Sequence, residues 1–303
     1  MAMIVGIGAN VFDTLYNIST YPKEDTKMRA DSSKVSGGGP VATGLVAAQK
    51  LGVQTAYIGN LSDDSGGVFL KSDFQKYGVD TSYINICAGY RSFTSVLWLC
   101  GDSATRTCVF DKGNLPPLEL DEAQTEIIKQ ADILMVDGNE MDAAVEAAGI
   151  AKSAGTKVLY DCGGLYDNVE RLLALTDIMI PSKEFALGIT GLGTPNEAAK
   201  KLYKDYNPEV VVITCGKRGG LLYDGDEIDY YHAFPVKVAD SNGSGDVFHG
   251  AFAAGIVKGY DFHKCCRFAS AVSAIKCTGI GARESVPDFE TVRKFLKENG
   301  YEL

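Results

Sequence analysis

Short apolar runs recur along the chain, separated by stretches in which apolar residues return every three or four positions. Ile4–Gly8, Thr55–Gly59, Ile133–Val136, Lys157–Tyr160, Ile178–Ile180 and Val210–Thr214 read as strands, the last almost wholly β-branched. Val41–Leu51, Val68–Tyr77, Asp142–Ala154, Val169–Leu175 and Asn196–Tyr206 read as helices, and in the second of these Val68, Phe69, Phe74 and Tyr77 fall on or near one face. Strands that are apolar throughout, alternating with amphipathic helices, predict an α/β fold with a mostly parallel sheet covered on both faces.

Two segments break the rhythm. Residues 14–35 are polar and poor in helix signals, and residues 84–110 read as several strands, with Ser92–Leu99 and Thr105–Phe110 rich in β-branched and aromatic residues. Together they predict a small accessory sheet projecting from a core made of residues 1–13, 36–83 and 111–303.

The most telling local pattern is Asp240-Ser241-Asn242-Gly243-Ser244-Gly245-Asp246 ahead of an apolar helix. Gly243 and Gly245 allow positive φ, so successive N–H groups can converge on one point, and the helix adds its unpaired N–H groups and positive dipole end. Asp246 beside such an anion site would repel a resting phosphate. As a general base it would take a hydroxyl proton while the N–H groups hold charge developing on a phosphoryl group. The same residue types also build an ordinary helix cap. Two other phosphate loops are excluded. Gly6-Ile7-Gly8 lacks the third glycine, since Val11 stands there, and Gly216-Lys217 lacks the glycine five residues earlier, where Val211 stands. Asn10 and Asp13, just beyond the first strand, lie where parallel sheets bind ligands and can hydrogen-bond a polyol, or form an Asx turn.

Composition narrows the partners. The net charge of −10 (29 basic against 39 acidic residues) offers no basic stripe for nucleic acid or an anionic membrane. No apolar run is long enough to span a bilayer, and the N-terminus reads as a strand rather than a signal peptide. The 8 cysteines form no C-x-x-C and match no zinc spacing, so buried, reduced thiols in a cytoplasmic protein are expected.

Several motifs, in order along nearly the whole chain, resemble the ribokinase-like (PfkB) carbohydrate and nucleoside kinases. They are Gly38-Gly39-Pro40-Val41-Ala42-Thr43, Gly59 through Asp63-Asp64-Ser65-Gly66 to Thr81, Arg106-Thr107, Asp161, Thr214 through Gly220, and the turn at Asp240–Asp246, where the family pattern is Asp-Thr-x-Gly-Ala-Gly-Asp. The resemblance implies a ribokinase-like three-layer sandwich with a β-sheet lid, and an ATP-dependent sugar kinase using Mg²⁺. It assigns Asp246 as the base and Gly243, Ser244 and Gly245 as the anion hole. It makes Asn10, Asp13, Gly38, Gly39, Thr43, Lys27 and Arg106 substrate contacts. Ser182, Thr214, Gly216 and Gly219, with Gly243 and Gly245, fall at nucleotide positions. Asp240, Lys276, Gly281 and Ser285 lie where many members form a K⁺ site, and the lid often mediates a homodimer.

Thr43 stands where many members carry Asn, and Ser182-Lys183-Glu184-Phe185, where many read Asn-x-x-Glu, is similar to the ketohexokinase and sulfofructose kinase branches. Gly138 stands where the latter place an arginine, which points to a small neutral ketose or furanose-like sugar. A nucleoside kinase of the same fold, with Tyr16, Phe93 or Trp98 as a base platform, and a catalytically silent sugar sensor remain as alternatives.

Overall fold

A computed structural model describes residues 3–102 and 105–302. In chain order its strands and helices are β1 (Met3–Ile7), β2 (Val11–Ile18), β3 (Ser32–Gly38), α1 (Pro40–Lys50), β4 (Gln54–Ser62), α2 (Ser65–Tyr77), β5 (Ile84–Cys87), β6 (Thr94–Cys100), β7 (Thr105–Asp111), α3 (Glu122–Gln130), β8 (Ile133–Val136) and α4 (Met141–Ala154). There follow β9 (Lys157–Cys162), α5 (Val169–Leu173), β10 (Ile178–Pro181), α6 (Lys183–Thr190), α7 (Pro195–Tyr206), β11 (Val210–Thr214), β12 (Gly220–Tyr223), β13 (Ile228–Tyr231), α8 (Ser244–Val257), α9 (Phe262–Lys276) and α10 (Phe289–Glu298). The main sheet has 9 strands in the order β13-β12-β11-β10-β9-β8-β1-β4-β5. It is parallel from β5 to β11, and an antiparallel meander closes the β12–β13 edge.

Strand alternation explains why both faces are apolar. In β1, Ile4 points into a core shared with α1, α8 and α9, whereas Val5 and Ile7 point into a second core shared with α3, α4 and α7. The helices start where the sequence supplies caps. Asp64 accepts the Gly67 N–H at α2, a reciprocal Asp121–Gln124 box opens α3, and Pro40 opens α1. In α2 the predicted apolar face is rotated. Gly66, Gly67, Leu70 and Phe74 are buried while Val68 is 62% exposed, because the glycines let the first turn press against Ser62.

A second sheet of 4 strands, ordered β3-β2-β6-β7, is the expected accessory sheet. β2 pairs antiparallel with β3 and parallel with β6, and β6 pairs antiparallel with β7. Ile84–Cys87, expected in this unit, instead pairs with β4 at the edge of the main sheet, so the second excursion into the small sheet begins only at Thr94. Cys108 is exposed and Cys87 and Cys215 are half-buried, so the expectation of buried thiols holds for the other five. Among the described residues, no helix is long and apolar enough to cross a membrane.

One crossing positions the candidate site. α8 is buried from Val247 to Gly255 and lies against both α1 and α9. At Gly250 its backbone meets α1 so closely that a Cβ would lie 2.0 Å from the Gly44 carbonyl oxygen. That contact fixes the N-terminus of α8 beside the end of β1. Gly250→Ala should therefore destabilise the protein by at least about 2 kcal/mol, because the obstacle is backbone rather than a side chain that can swing away. An unchanged urea midpoint would show that the crossing tolerates a methyl group.

Candidate active site

The site lies along the carboxyl edge of the main sheet. Asp137, immediately after β8, forms its floor. One carboxylate oxygen accepts the Ala9 N–H at 2.9 Å and the Val41 N–H at 3.2 Å. The other accepts the Asn139 backbone and side-chain N–H groups at 2.9 and 3.1 Å. Val41 belongs to the first turn of α1, so the positive helix end also faces this carboxylate. Burial nevertheless pushes the Asp137 carboxyl above its usual range. Asp137 thereby joins the exit of β1 to the entry of α1, the two segments that carry Asn10 and Gly38–Gly39. Gly39 takes φ 95°, and a Cβ there would meet the Ala9 carbonyl oxygen at 2.1 Å.

Arg283 holds the next layer. It is fully buried in the loop between α9 and α10, 5.0 Å from the Phe74 ring centroid. It donates to Asp73 at 2.7 Å, to Asn10 Oδ1 at 2.9 Å and to the Gly38 carbonyl at 2.6 Å. Asn10 is buried and its Nδ2 has no partner; the buried Thr43 hydroxyl, in the first turns of α1, also has none. Asp13, on the inner face of β2, accepts the Ser95 hydroxyl at 2.6 Å. A Cβ on Gly38 would lie 2.0 Å from its other carboxylate oxygen. Burial raises the Asp13 pKa to about 6, with the Ser95 hydrogen bond and Arg283 pulling it back and Asp246 pushing it further up. Asp13, Asn10, Gly38, Gly39 and Thr43 thus meet as expected, and they leave polar groups unmatched.

The turn before α8 faces Asp13. Gly243 is the helix cap at φ 73°, in the left-handed region. The expectation of positive φ fails at Gly245, which sits inside the first helical turn with nothing within 4 Å of where a Cβ would be. It is open to an approaching group rather than conformationally special. Ser244 spends its N–H on the Ser241 carbonyl at 3.2 Å, while the N–H groups of Gly245 and Asp246 have no partner within the helix. Asp246 follows in the same turn. Burial raises its carboxyl pKa, opposed by His249 and by Arg106 of β7, and Asp137 raises it further. Arg106 is exposed on its strand and its charge reaches Asp246 from the small sheet.

Behind Asp246, the buried His249 ring faces the Gly245 carbonyl at 2.6 Å through Nδ1 and the Ile180 carbonyl at 2.8 Å through Nε2. Asp161, buried at the end of β9, lies 3.2 Å from Nδ1. Burial pushes the Asp161 carboxyl up to about 7 against the pull of His249. This pair anchors α8 to β9 and β10.

The potassium expectation does not fit the donors. Asp240, Lys276, Gly281 and Ser285 do gather, but Lys276 Nζ donates to the Asp240 carbonyl at 2.9 Å and to the Asn242 carbonyl. The Asp240 carboxylate accepts the Asn242 and Gly281 N–H groups at 2.8 and 2.9 Å, and the Ser285 hydroxyl turns to the Gly281 carbonyl. Two of the oxygens that a monovalent ion would need, the Asp240 and Asn242 carbonyls, are already engaged by an ammonium group.

The remaining expected residues divide. Ser182 caps α6 and bridges to Thr214, so both stand at the carboxyl ends of β10 and β11. Gly216 follows at φ 57° with open space beside it, and Gly219 packs on the Tyr231 carbonyl. Lys27 is not brought to Asp13. With Tyr16 and Trp98 it lines a recess of about 540 Å³ on the opposite face of the small sheet. A further recess of about 430 Å³, between β13 and α9, lies away from these groups. Asp137, Arg283 and the Asp161–His249 pair were not singled out as site residues by the sequence, because each is a single residue in a loop or an apolar run whose partner is remote in the chain.

A three-layer α/β body with a small sheet over its carboxyl edge is the ribokinase fold. The structure of Arabidopsis thaliana ribokinase complexed with ribose and ATP superimposes with a TM-score of 0.88 at 26% identity, covering 98% of this chain and 99% of that one. The profile of the pfkB family carbohydrate kinases matches residues 1–288, and the chain belongs to that family. Ribokinase from Haemophilus influenzae is 27% identical over 297 residues, covering 96% of this chain and 97% of its own length. The 5-dehydro-2-deoxygluconokinase of Clostridium perfringens is 29% identical over 293 residues, covering 88% and 85%. The protein is an ATP-dependent sugar kinase.

Asp13 yields a prediction with opposite signs for stability and binding. Its folded pKa is raised, so the folded chain binds the proton more tightly than the unfolded chain, and stability falls as pH rises from about 4 to about 6. Asp13→Asn removes that penalty. The variant should gain about 1–3 kcal/mol at pH 7.5, a gain that vanishes near pH 4, while sugar KM rises about tenfold or more. Urea unfolding at both pH values, with sugar kinetics, tests this; a destabilised variant with unchanged KM would remove Asp13 from the sugar site.

Proposed function

We propose that the protein transfers the γ-phosphoryl group of ATP to a hydroxyl of a small neutral ketose or furanose-like sugar, with Asp246 as the general base. The observation that carries this reading is the pairing of unlike halves across one cleft. On one side Asp13, the unpartnered Asn10 Nδ2 and the unpartnered Thr43 hydroxyl offer polar contacts to a polyol. On the other, Asp246 stands in the same helical turn as the unpartnered N–H groups of Gly245 and Asp246.

In this mechanism Asp13 and Asn10 orient the sugar so that one hydroxyl faces Asp246. The carboxylate takes that proton as the oxygen bonds to the γ-phosphorus, and the bond to the bridging oxygen breaks to release ADP. A raised pKa suits Asp246 to this role, because it makes the carboxylate a better proton acceptor. The Gly245 and Asp246 N–H groups and the Arg106 guanidinium hold the charge on the transferring group. Mg²⁺, carried on the nucleotide phosphates, would neutralise part of their charge. The nucleotide would run along Ser182, Thr214, Gly216 and Gly219 towards the turn. No cation faces the sugar from Lys27 or Gly138, which supports a neutral substrate.

Asp246→Asn should lower kcat by about 10²–10⁴ while leaving ATP and sugar binding close to wild type, since the amide keeps the shape but accepts no proton. Turnover near the wild-type rate would transfer the base role elsewhere. The wild-type assay, run with neutral and with phosphorylated or sulfonated ketoses, tests the substrate class, and preference for an anionic ketose would reverse it.

The small sheet also supports a homodimer. Val35, Val96 and Val109 are 38–62% exposed on the face of its strands opposite Asp13 and Ser95, an apolar surface that a second copy would cover. Sedimentation should give a dimer for the wild type and a monomer for Val109→Glu; a wild-type monomer at micromolar concentration would rule the assembly out.

A further inference from the structure

The anion turn has a buried cation of its own. Lys276, in the last turn of α9, is wholly buried, and its ammonium donates to the Asp240 and Asn242 carbonyls with the Asp240 carboxylate 3.9 Å away. Burial lowers its pKa, opposed by Asp240, Cys277 and Asp246, while Arg106 adds to the lowering. An ammonium is a compact cation with three donors, and two carbonyls plus a carboxylate are the kind of oxygen set that also suits a monovalent metal ion.

The geometry has a direct consequence for the site. In a trans peptide the N–H points opposite to the C=O. Holding the Asp240 and Asn242 carbonyls on Lys276 therefore turns the Ser241 and Gly243 N–H groups away from it. It also sets the path by which the chain enters α8, and with it the direction of the Gly245 and Asp246 N–H groups. The same helix end is tied to α9 a second time, by the Ser273 hydroxyl donating to the Ser244 carbonyl at 2.8 Å.

We propose that Lys276 is a tethered replacement for a monovalent cation, a positioning residue that holds the anion turn in its working conformation and makes the enzyme independent of K⁺. A free K⁺ would have to displace the ammonium from its carbonyls or sit beside it against like-charge repulsion. A freely diffusing ion can leave the site, whereas a side chain anchored in a buried helix cannot. The turn is therefore held at every external salt composition.

The proposal rests on the reading of this turn as the phosphoryl-binding element, so the test includes a measurement that does not depend on catalysis. At constant ionic strength, exchanging tetramethylammonium for K⁺ should change wild-type kcat/KM by less than about twofold and leave Tm unmoved. Lys276→Ala opens a space lined by the two carbonyls. In tetramethylammonium it should lose about 10² in kcat, and K⁺ or NH₄⁺ should restore about tenfold, with Li⁺ ineffective. The same ions should raise the Tm of the variant alone, because they bind only its folded form. Activation of the wild type by K⁺ of more than about fivefold, or a rise in its Tm with K⁺, would overturn the proposal. So would a folded Lys276→Ala that stays inactive and thermally unchanged in every ion, since that is the behaviour of a purely structural lysine. Should the variant fail to fold, the wild-type ion exchange decides the question alone.

Discussion

Asp13, Asp137, Asp161 and Asp246 crowd the carboxyl edge of the main sheet, and burial pushes each carboxyl above its ordinary range. Such a cluster is unfavourable unless every charge is answered. The structure answers them with different means. Asp137 receives backbone N–H groups and a helix end, Asp161 faces His249, and Asp13 has Ser95 and the nearby Arg283 charge. Asp246, the most open of the four, lies within reach of His249, Arg106 and Lys276. The arrangement of these compensating groups fixes how the exits of β1, β8 and β9 sit relative to one another.

This charge balance requires close backbone packing. Asp137 can reach Ala9 because Gly8 has no side chain, and Asp13 can lie over Gly38 for the same reason. The α1–α8 contact at Gly44 and Gly250 brings the positive ends of two helices to one cleft, the first facing Asp137 and the second bearing Asp246. Within this close packing Asn10 Nδ2 and the Thr43 hydroxyl are left unmatched. The small sheet contributes Asp13, Ser95 and Arg106 from strands that leave the main body, so the two sides of the proposed site are carried by different sheets.

Local chemistry was legible where a few adjacent residues set the outcome. The glycines and polar residues of Asp240–Asp246 announce a turn opening a helix, and β-branched runs such as Val210–Thr214 announce buried strands. Conformation within the turn was less legible. Gly243 is left-handed and Gly245 is helical, since the helix begins between them, and no single residue states that boundary. Likewise Ile84–Cys87 has a strand composition that suits either sheet; only the position of β4 assigns it to the larger one.

By itself the sequence determined the alternation of strands and helices, the accessory sheet, the glycine-rich turn at Asp240–Asp246 that opens a helix, and the placing of Asn10 and Asp13 just beyond the first strand. These follow from periodicity and turn chemistry, which act over a few neighbouring positions. Tertiary structure alone decided that Arg283 reaches Asn10 and Gly38, that His249 meets Asp161, that Lys27 lies on the far face of the small sheet, and that Lys276 takes the carbonyls of the anion turn. Each of those depends on groups far apart in the chain brought together by burial, where a charged side chain must find its partner among whatever the packed helices and strands place within reach.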